Sequence, residues 1–304
     1  MLASPDWLSS LYRRVGALVI DAAVLVSIGF VLGWVFESYF VELSVWARAI
    51  GFVIALLYFG ILNSELNNGQ TIGKRLLAIR VVNLHNESIK LDVSLLRSLI
   101  LITPFFVQGS GLPGALLHSF WIYPVSLVLF GGLVSTAYLM VFNRRTRQGP
   151  HDWICRTFVA NVESDPQRPE PIWLGHSVTV GFVLVLSLAL PAAVQQSNIA
   201  EPQPDLDRSA AQLLQLDIAN HVQIARVDSQ RDDVENRFTS AQVMLTENRV
   251  EDEDLAADIA RQLLQGNDRI RTQGPLMINL TYGYDLGIFS SWDSRMHRFN
   301  APEE

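Results

Sequence analysis

The sequence predicts an α-helical polytopic membrane bundle of about five transmembrane helices, followed by a small C-terminal α+β domain. Three observations predict it. Of the 304 residues 49% are hydrophobic and only 17% charged, where soluble domains carry about a quarter charged residues. The apolar residues come in blocks, several of them reaching the roughly 20 residues that cross a hydrocarbon core. Charge is also divided unevenly, with residues 1–195 at net +2 and residues 196–304 at net −9, which marks two regions in different surroundings. The chain therefore divides into a transmembrane domain over 1–162, a linker and final transmembrane helix over 163–195, and a soluble acidic α+β domain over 196–304 that lies outside the membrane.

The first span is predicted over 15–36, with Asp21 as its single charge, and the second over 45–62, with Arg48 near its start. Residues 121–142 and 173–194 contain no charge at all and supply two more. The run 95–107 is short, holds Arg97 and is interrupted by Pro104. It reads as an interfacial or re-entrant helix, or as the first half of a span that continues into the Gly/Pro-rich 108–115. Lys and Arg accumulate in short cytoplasmic loops. If 95–107 crosses, the eleven cations of the N-terminal tail, 63–94 and 143–172 all fall on one side, and the short loops opposite hold none. This favours five spans in a plasma (inner) membrane, with the N-terminus cytoplasmic and the acidic tail periplasmic or extracellular. Asp21 and the length of the first apolar run argue for a retained anchor rather than a cleaved signal.

One cysteine, Cys155, excludes a disulfide framework, a four-cysteine zinc site and an iron–sulfur cluster. An acidic chain with no basic stripe argues against nucleic acid. Asp21 needs an account, because a charge at membrane depth costs a few kcal/mol or more and usually faces the bundle interior with a partner. Two readings stand: a proton or cation site, and a structural contact to another helix or to a cation such as Arg97. Arg14 lies seven residues before Asp21, hence on the same helical face.

The run Gly69-Gln70-Thr71-Ile72-Gly73-Lys74-Arg75 is not a nucleotide loop. Only three residues separate its glycines, and Arg75 stands where a magnesium-binding hydroxyl belongs. Its glycines are expected to turn the chain at the cytoplasmic face, while Lys74, Arg75 and Arg80 meet anionic lipid headgroups. LLAIRVVN after it reads as a short strand or an interfacial helix. His151, Asp152 and Cys155 fall at i, i+1 and i+4, too few ligands for a metal site. Asp152 is expected to pair with Arg144, Arg145 and Arg147.

YRRVGALVIDAAVL, NNGQTIGKRLLAIRVVN with SLLRSLI after it, and NRRTRQGPHDWICRTFV occur in this order, and together they resemble the RDD family of integral membrane proteins. Position by position, the resemblance assigns the family's Arg and two Asp to Arg14, Asp21 and Asp152. It places Gly69, Gln70, Gly73, Lys74 and Arg75 in the family's loop motif, and His151 beside Asp152. It covers roughly residues 8–162; the apolar segment 173–194 and the tail lie beyond it. The resemblance implies a membrane protein, with cation or proton transport as the associated expectation.

In the tail, 196–204 is a spacer and Asp205 is expected to cap a helix over 206–219. HVQIARVDSQ and SAQVMLTEN alternate as strands do. Residues 253–265 form the clearest helix, with acids in its first turn and Gly266 to end it. LMINLTYGYDLGIFSSWDS reads as one long or two short strands, giving the order α-β-β-α-β. No triad, metal set or cofactor fingerprint appears, so neither an enzyme nor a cofactor is expected. The alternative to transport is a membrane-anchored envelope interaction or assembly protein, whose partner would be a protein bound by residues 196–304.

Overall fold

The structure, a computed structural model, describes residues 5–108, 116, 118–164, 170–196, 203–231, 234–267, 270–271 and 274–300. The predicted continuation through 109–115, part of the linker after residue 164, and most of the spacer before residue 203 lie outside the described residues. The chain forms two compact units. One comprises Met1–Phe30, Arg48–Glu201 and Leu286–Phe289; the other comprises Val31–Ala47, Pro202–Asp285 and Ser290–Glu304.

Among the described residues, four stretches are long and apolar enough to cross a membrane: Leu11–Leu62, Leu91–Gln108, Ile122–Phe142 and Leu174–Gln196. The first holds both predicted N-terminal spans, as α1 (Leu11–Leu43) and α2 (Ala47–Leu62). Only a 3-10 turn over Ser44–Trp46 separates them, with Ser44 at φ +52°. Its 52 residues would measure roughly 78 Å as one helix, more than twice a hydrocarbon core of about 30 Å. The chain instead folds back, for the Tyr58 hydroxyl on α2 donates to Asp21 on α1 at 2.8 Å.

The short segment 95–107 grows into an 18-residue helix, α4 (Leu91–Gln108), that includes Pro104. Its Arg97 is buried rather than set against lipid. The predicted span 121–142 is built from α5 (Ile122–Ser126), a π-helical stretch over Leu127–Gly132 and α6 (Leu133–Phe142). It packs on α8 (Leu174–Gln196), where the Ser126 hydroxyl donates to the Ser187 carbonyl at 2.6 Å. A Cβ on Gly131 would come within 2.9 Å of both Leu184 and Ser187, so glycine sets how closely these helices approach. Val178, Phe182 and Val185 of α8 are exposed at i, i+4 and i+7, a continuous outward apolar face. Water-soluble folds rarely leave such a face bare; lipid makes it favourable.

Short elements lie between these helices: α3 (Ile72–Leu76), β1 (Ile79–Val82), α7 (Pro150–Cys155) and β2 (Phe158–Asn161). β1 and β2 pair antiparallel from Ile79↔Asn161 to Val82↔Phe158, and Leu8 bridges to Ala160. Within LLAIRVVN, Ile79–Val82 is thus a strand rather than an interfacial helix, because Val82 buries against Trp7, Leu8 and Phe158 on one face and Ile79 and Val81 against Ala17 and Val159 on the other.

The second unit contains α9 (Pro204–Leu214), β3 (Ala219–Arg231), β4 (Val234–Leu245), α10 (Glu253–Gly266), β5 (Leu276–Asp285) and β6 (Ser290–Phe299). Its sheet runs β3-β4-β5-β6. β4 and β5 pair parallel and the other neighbours antiparallel, so α10 serves as the crossover that a parallel pair requires. The C-terminal apolar run resolves into two strands, extending the predicted order by one. Leu206 and Leu213 from α9, Ile259 and Leu263 from α10, and Ile278 and Leu280 from β5 share one core.

α9 begins and ends earlier than the predicted 206–219. Pro204 takes its first position, where a missing N–H costs nothing, and Asp217 at φ +53° lies outside it. Asp205 is not the cap but a first-turn acid bonded to Arg226. Asp252 does cap α10, accepting from the Leu255 N–H at 2.9 Å. Burial would raise the Asp205 carboxyl, but the bond and charge of Arg226, its own backbone N–H and Asn267 together hold it below the ordinary carboxylate range. Asp252 is held low by the Leu255 N–H and Arg249. Folded-state values below the unfolded ones stabilise the unit above about pH 4, and this stabilisation is lost as pH falls through them. Circular dichroism melts should therefore drop below pH 4. Asp252→Ala should lower the melting temperature at neutral pH and weaken that acid dependence.

Candidate functional site

The ionisable residues picked out in the sequence converge inside the first unit, beginning at Asp21. Its carboxylate is 1% exposed and receives three uncharged donors. Thr71 Oγ1 donates to Oδ2 at 2.6 Å, and the Gly73 N–H and Tyr58 hydroxyl each donate to Oδ1 at 2.8 Å. Of the two partners weighed for Asp21, the structural contact is present, but its donors are hydroxyls and a backbone group rather than Arg97.

The loop that supplies two of these donors shows why it has its sequence. Gly69 adopts φ +70° with Val81 backbone against it, a conformation glycine accepts freely. Gln70 Nε2 donates to the Ile79 carbonyl at 3.0 Å, holding the loop to β1. Thr71 caps α3, its Oγ1 accepting from the Lys74 N–H at 3.3 Å while donating to Asp21. Gly73 lies so near α1 that a Cβ would come within 2.1 Å of the Ala17 carbonyl oxygen. Lys74 corrects the headgroup expectation: its ammonium turns inward and donates to buried Asn63 at 2.7 Å. Arg75 is exposed and bonds Asn67 at 2.9 Å.

Asp152 is the second buried acid, 1% exposed. Arg97 Nε donates to its Oδ1 at 2.8 Å and Thr157 Oγ1 to the same oxygen at 2.9 Å. Arg14 Nη1 stands 3.7 Å and His151 Nε2 3.5 Å from Oδ2. The predicted pairing of Asp152 with Arg144, Arg145 and Arg147 is therefore corrected. α7 packs against α4 and carries Asp152 to Arg97, whereas Arg145 meets Glu170 at the surface, 3.9 Å away. Arg147 contributes its backbone carbonyl, which accepts from Arg14 Nη1. Arg14 Nη2 donates in turn to the Val159 carbonyl at 3.1 Å, fixing the start of α1 to β2.

These groups border one cavity of about 100 Å³, lined by Arg14, Asp21, Lys74, Arg97, His151 and Asp152 together with Leu101, Phe105 and Met140. Burial lowers Lys74 to about 7, with nearby Arg97 acting in the same direction against the pull of Asp21 and Asp152. Burial takes His151 down to about 4 despite the adjacent Asp152, so the imidazole is neutral at pH 7. For Asp152, burial would raise the carboxyl, but Arg97 foremost and then its other cationic neighbours hold it well below the carboxylate range. Burial raises the Cys155 thiol, which leaves it protonated and unreactive. Among the described residues, no group of three His, Cys, Asp or Glu side chains could hold a metal ion.

Sequence reasoning identified Arg14, Asp21, Arg97 and Asp152 but not Tyr58, Asn63 or Thr157. The available signal was a hydroxyl inside an apolar run and an amide at its end, each too common to single out. No curated protein and no solved structure matches the chain. The family model that matches is that of the RDD family, over residues 8–156, which contain the six ionisable residues that line the cavity. The match and the apolar helices both point to a membrane protein. Over residues 8–156, just under half of the chain, the sequence is similar to the RDD family.

Proposed function

We propose that the first unit moves a proton across the membrane, with Lys74 as the group that binds and releases it. The observation that carries this reading is the cavity itself. Five charged side chains of both signs meet in a segment flanked by apolar helices, and one of them, Lys74, sits at about 7. Charged groups in such surroundings are costly and tend to mark ion or proton pathways. A metal cation is a poorer fit than a proton, because donors already face both carboxylates and three of the five charges are positive.

Purified full-length protein in liposomes loaded with a pH dye tests it. Wild type is expected to carry proton flux under a pH gradient, and Lys74→Met to reduce it at least tenfold. Equal flux in the two overturns the assignment.

We read the orientation as five spans, α1 and α2 crossing separately, with the N-terminus cytoplasmic and the C-terminal unit periplasmic or extracellular. The one-sided distribution of Arg and Lys in the short loops supports this. The second reading, a partner-binding envelope role for the C-terminal unit, is favoured by β6. Among the described residues this edge strand pairs with β5 alone and leaves Trp292 and Met296 exposed, a feature that invites strand or side-chain pairing with another chain. Changing both to Asp and comparing crosslinked partners tests it; an unchanged pattern counts against it.

A further inference from the structure

We propose that the cavity bordered by Arg14, Lys74 and Arg97 binds one small monovalent inorganic anion, of the size of chloride or nitrate. The inference starts from charge. Three cations face two carboxylates there, so the site carries one unit of positive charge when Lys74 is protonated. His151 adds none at neutral pH. The two acids are already engaged: Asp21 accepts from Thr71, Gly73 and Tyr58, and Asp152 from Arg97 and Thr157. The cations are engaged only in part: Lys74 bonds Asn63, Arg97 Nε bonds Asp152 and the Arg14 terminal nitrogens bond two carbonyls, which leaves single N–H groups over. Arg97 is 3% exposed, and its Nη1 has no hydrogen-bond partner among the described residues; the same holds for Arg14 Nε. A buried guanidinium N–H without an acceptor costs roughly 1–3 kcal/mol or more, and an anion is the ligand that both accepts from it and cancels the surplus charge. Size limits the choice. About 100 Å³ holds on the order of three waters at roughly 30 Å³ each, enough for a halide or nitrate with a little water. The apolar remainder of the wall, Leu101, Phe105 and Met140, suits a weakly hydrated monovalent ion.

The anion and the Lys74 proton are thermodynamically linked. Lys74 is faced by Arg97 from α4, by Arg14 and Asp21 from α1, and by Asp152 with neutral His151 from α7. An anion added beside it favours the protonated ammonium, so each must strengthen the binding of the other. This coupling rests on Lys74 being the proton-binding group; the anion site itself does not.

The test is chloride binding to the full-length protein in detergent micelles, read from ³⁵Cl line broadening with gluconate as the replacement anion. Saturable broadening is expected at pH 6.5, with affinity falling roughly tenfold or more by pH 8.5 as Lys74 loses its proton. Lys74→Met should weaken binding at least tenfold and remove the pH dependence. Lys74→Arg, which keeps the charge at every pH, should retain binding and flatten its pH profile, and this separates a charge effect from misfolding. No saturation by chloride, bromide or nitrate in folded wild type, or saturation by sodium at fixed chloride instead, overturns the proposal. Binding is read without a gradient, so a protein that binds chloride yet moves no proton would sink the transport reading alone.

Discussion

Asp152→Asn is expected to destabilise the membrane part by about 3–5 kcal/mol, the usual loss when one partner of a buried ion pair is removed. The carboxylate is 1% exposed and lies between Arg97, at 2.8 Å, and Arg14, at 3.7 Å. Asparagine keeps the shape but leaves two buried guanidinium groups with one charge fewer to balance them. Its one oxygen can still accept from Arg97 and Thr157, so an NH2 group replaces Oδ2 opposite Arg14 and His151. Unfolding by SDS in mixed micelles, followed by tryptophan fluorescence, measures it. Arg97→Met combined with Asp152→Leu removes both charges, and should recover a large part of the loss, since apolar replacement of a buried pair is often neutral. A cost below about 1 kcal/mol for the single change would place the pair among the water-screened ones. Acid adds a second signature. The folded carboxyl sits below its unfolded value, so this stabilisation is complete above about pH 4 and disappears as pH falls through the folded value.

The membrane helices were legible because lipid imposes a length and a composition, and 121–142 and 173–194 satisfy both with little ambiguity. The first two spans were legible as apolar runs, but their junction was not. Glu37 and Glu42 suggested a loop over 37–44, but α1 runs on through both to Leu43, and a three-residue turn at Ser44–Trp46 makes the join. Arg14, Asp21 and Asp152 were legible as charges out of place, whereas their pairing was not. Sequence proximity pointed Asp152 at Arg144 and Arg145, but the short α7 packs on α4 and selects Arg97 from 55 residues away. The same limit applied to Lys74. A lysine in a glycine-bearing loop suggests a surface cation, and only the neighbouring Asn63 and the descent of α3 onto α1 turn it inward. In the tail, periodicity gave the helices and strands, while the split into β5 and β6 depended on pairing that one strand's pattern does not contain.

Gly73→Ala is the smallest change that would separate the loop from the first helix. Added to the present backbone, the methyl would sit 2.1 Å from the Ala17 carbonyl oxygen and 2.9 Å from its carbon. Neither can yield as a side-chain tip would, so α3 must move by about an ångström. That displacement breaks the Gly73 N–H bond to Asp21, at 2.8 Å, and strains the Thr71 bond beside it. Overpacking of this kind costs about 1–3 kcal/mol, and losing a hydrogen bond to a charged acceptor about 1.5–3 kcal/mol. Alanine's better helix propensity returns at most about 1 kcal/mol, and the net expectation is a loss of about 2 kcal/mol or more. Ile72→Ala is the control: Ile72 is exposed in the same helix, where a change typically stays within about 0.5 kcal/mol. SDS unfolding compares the two variants, and limited proteolysis at Arg75 reports whether α3 has lifted. If Gly73→Ala proves as stable as wild type with the loop still protected, Asp21 does not hold α3 against α1, and its burial needs another cause.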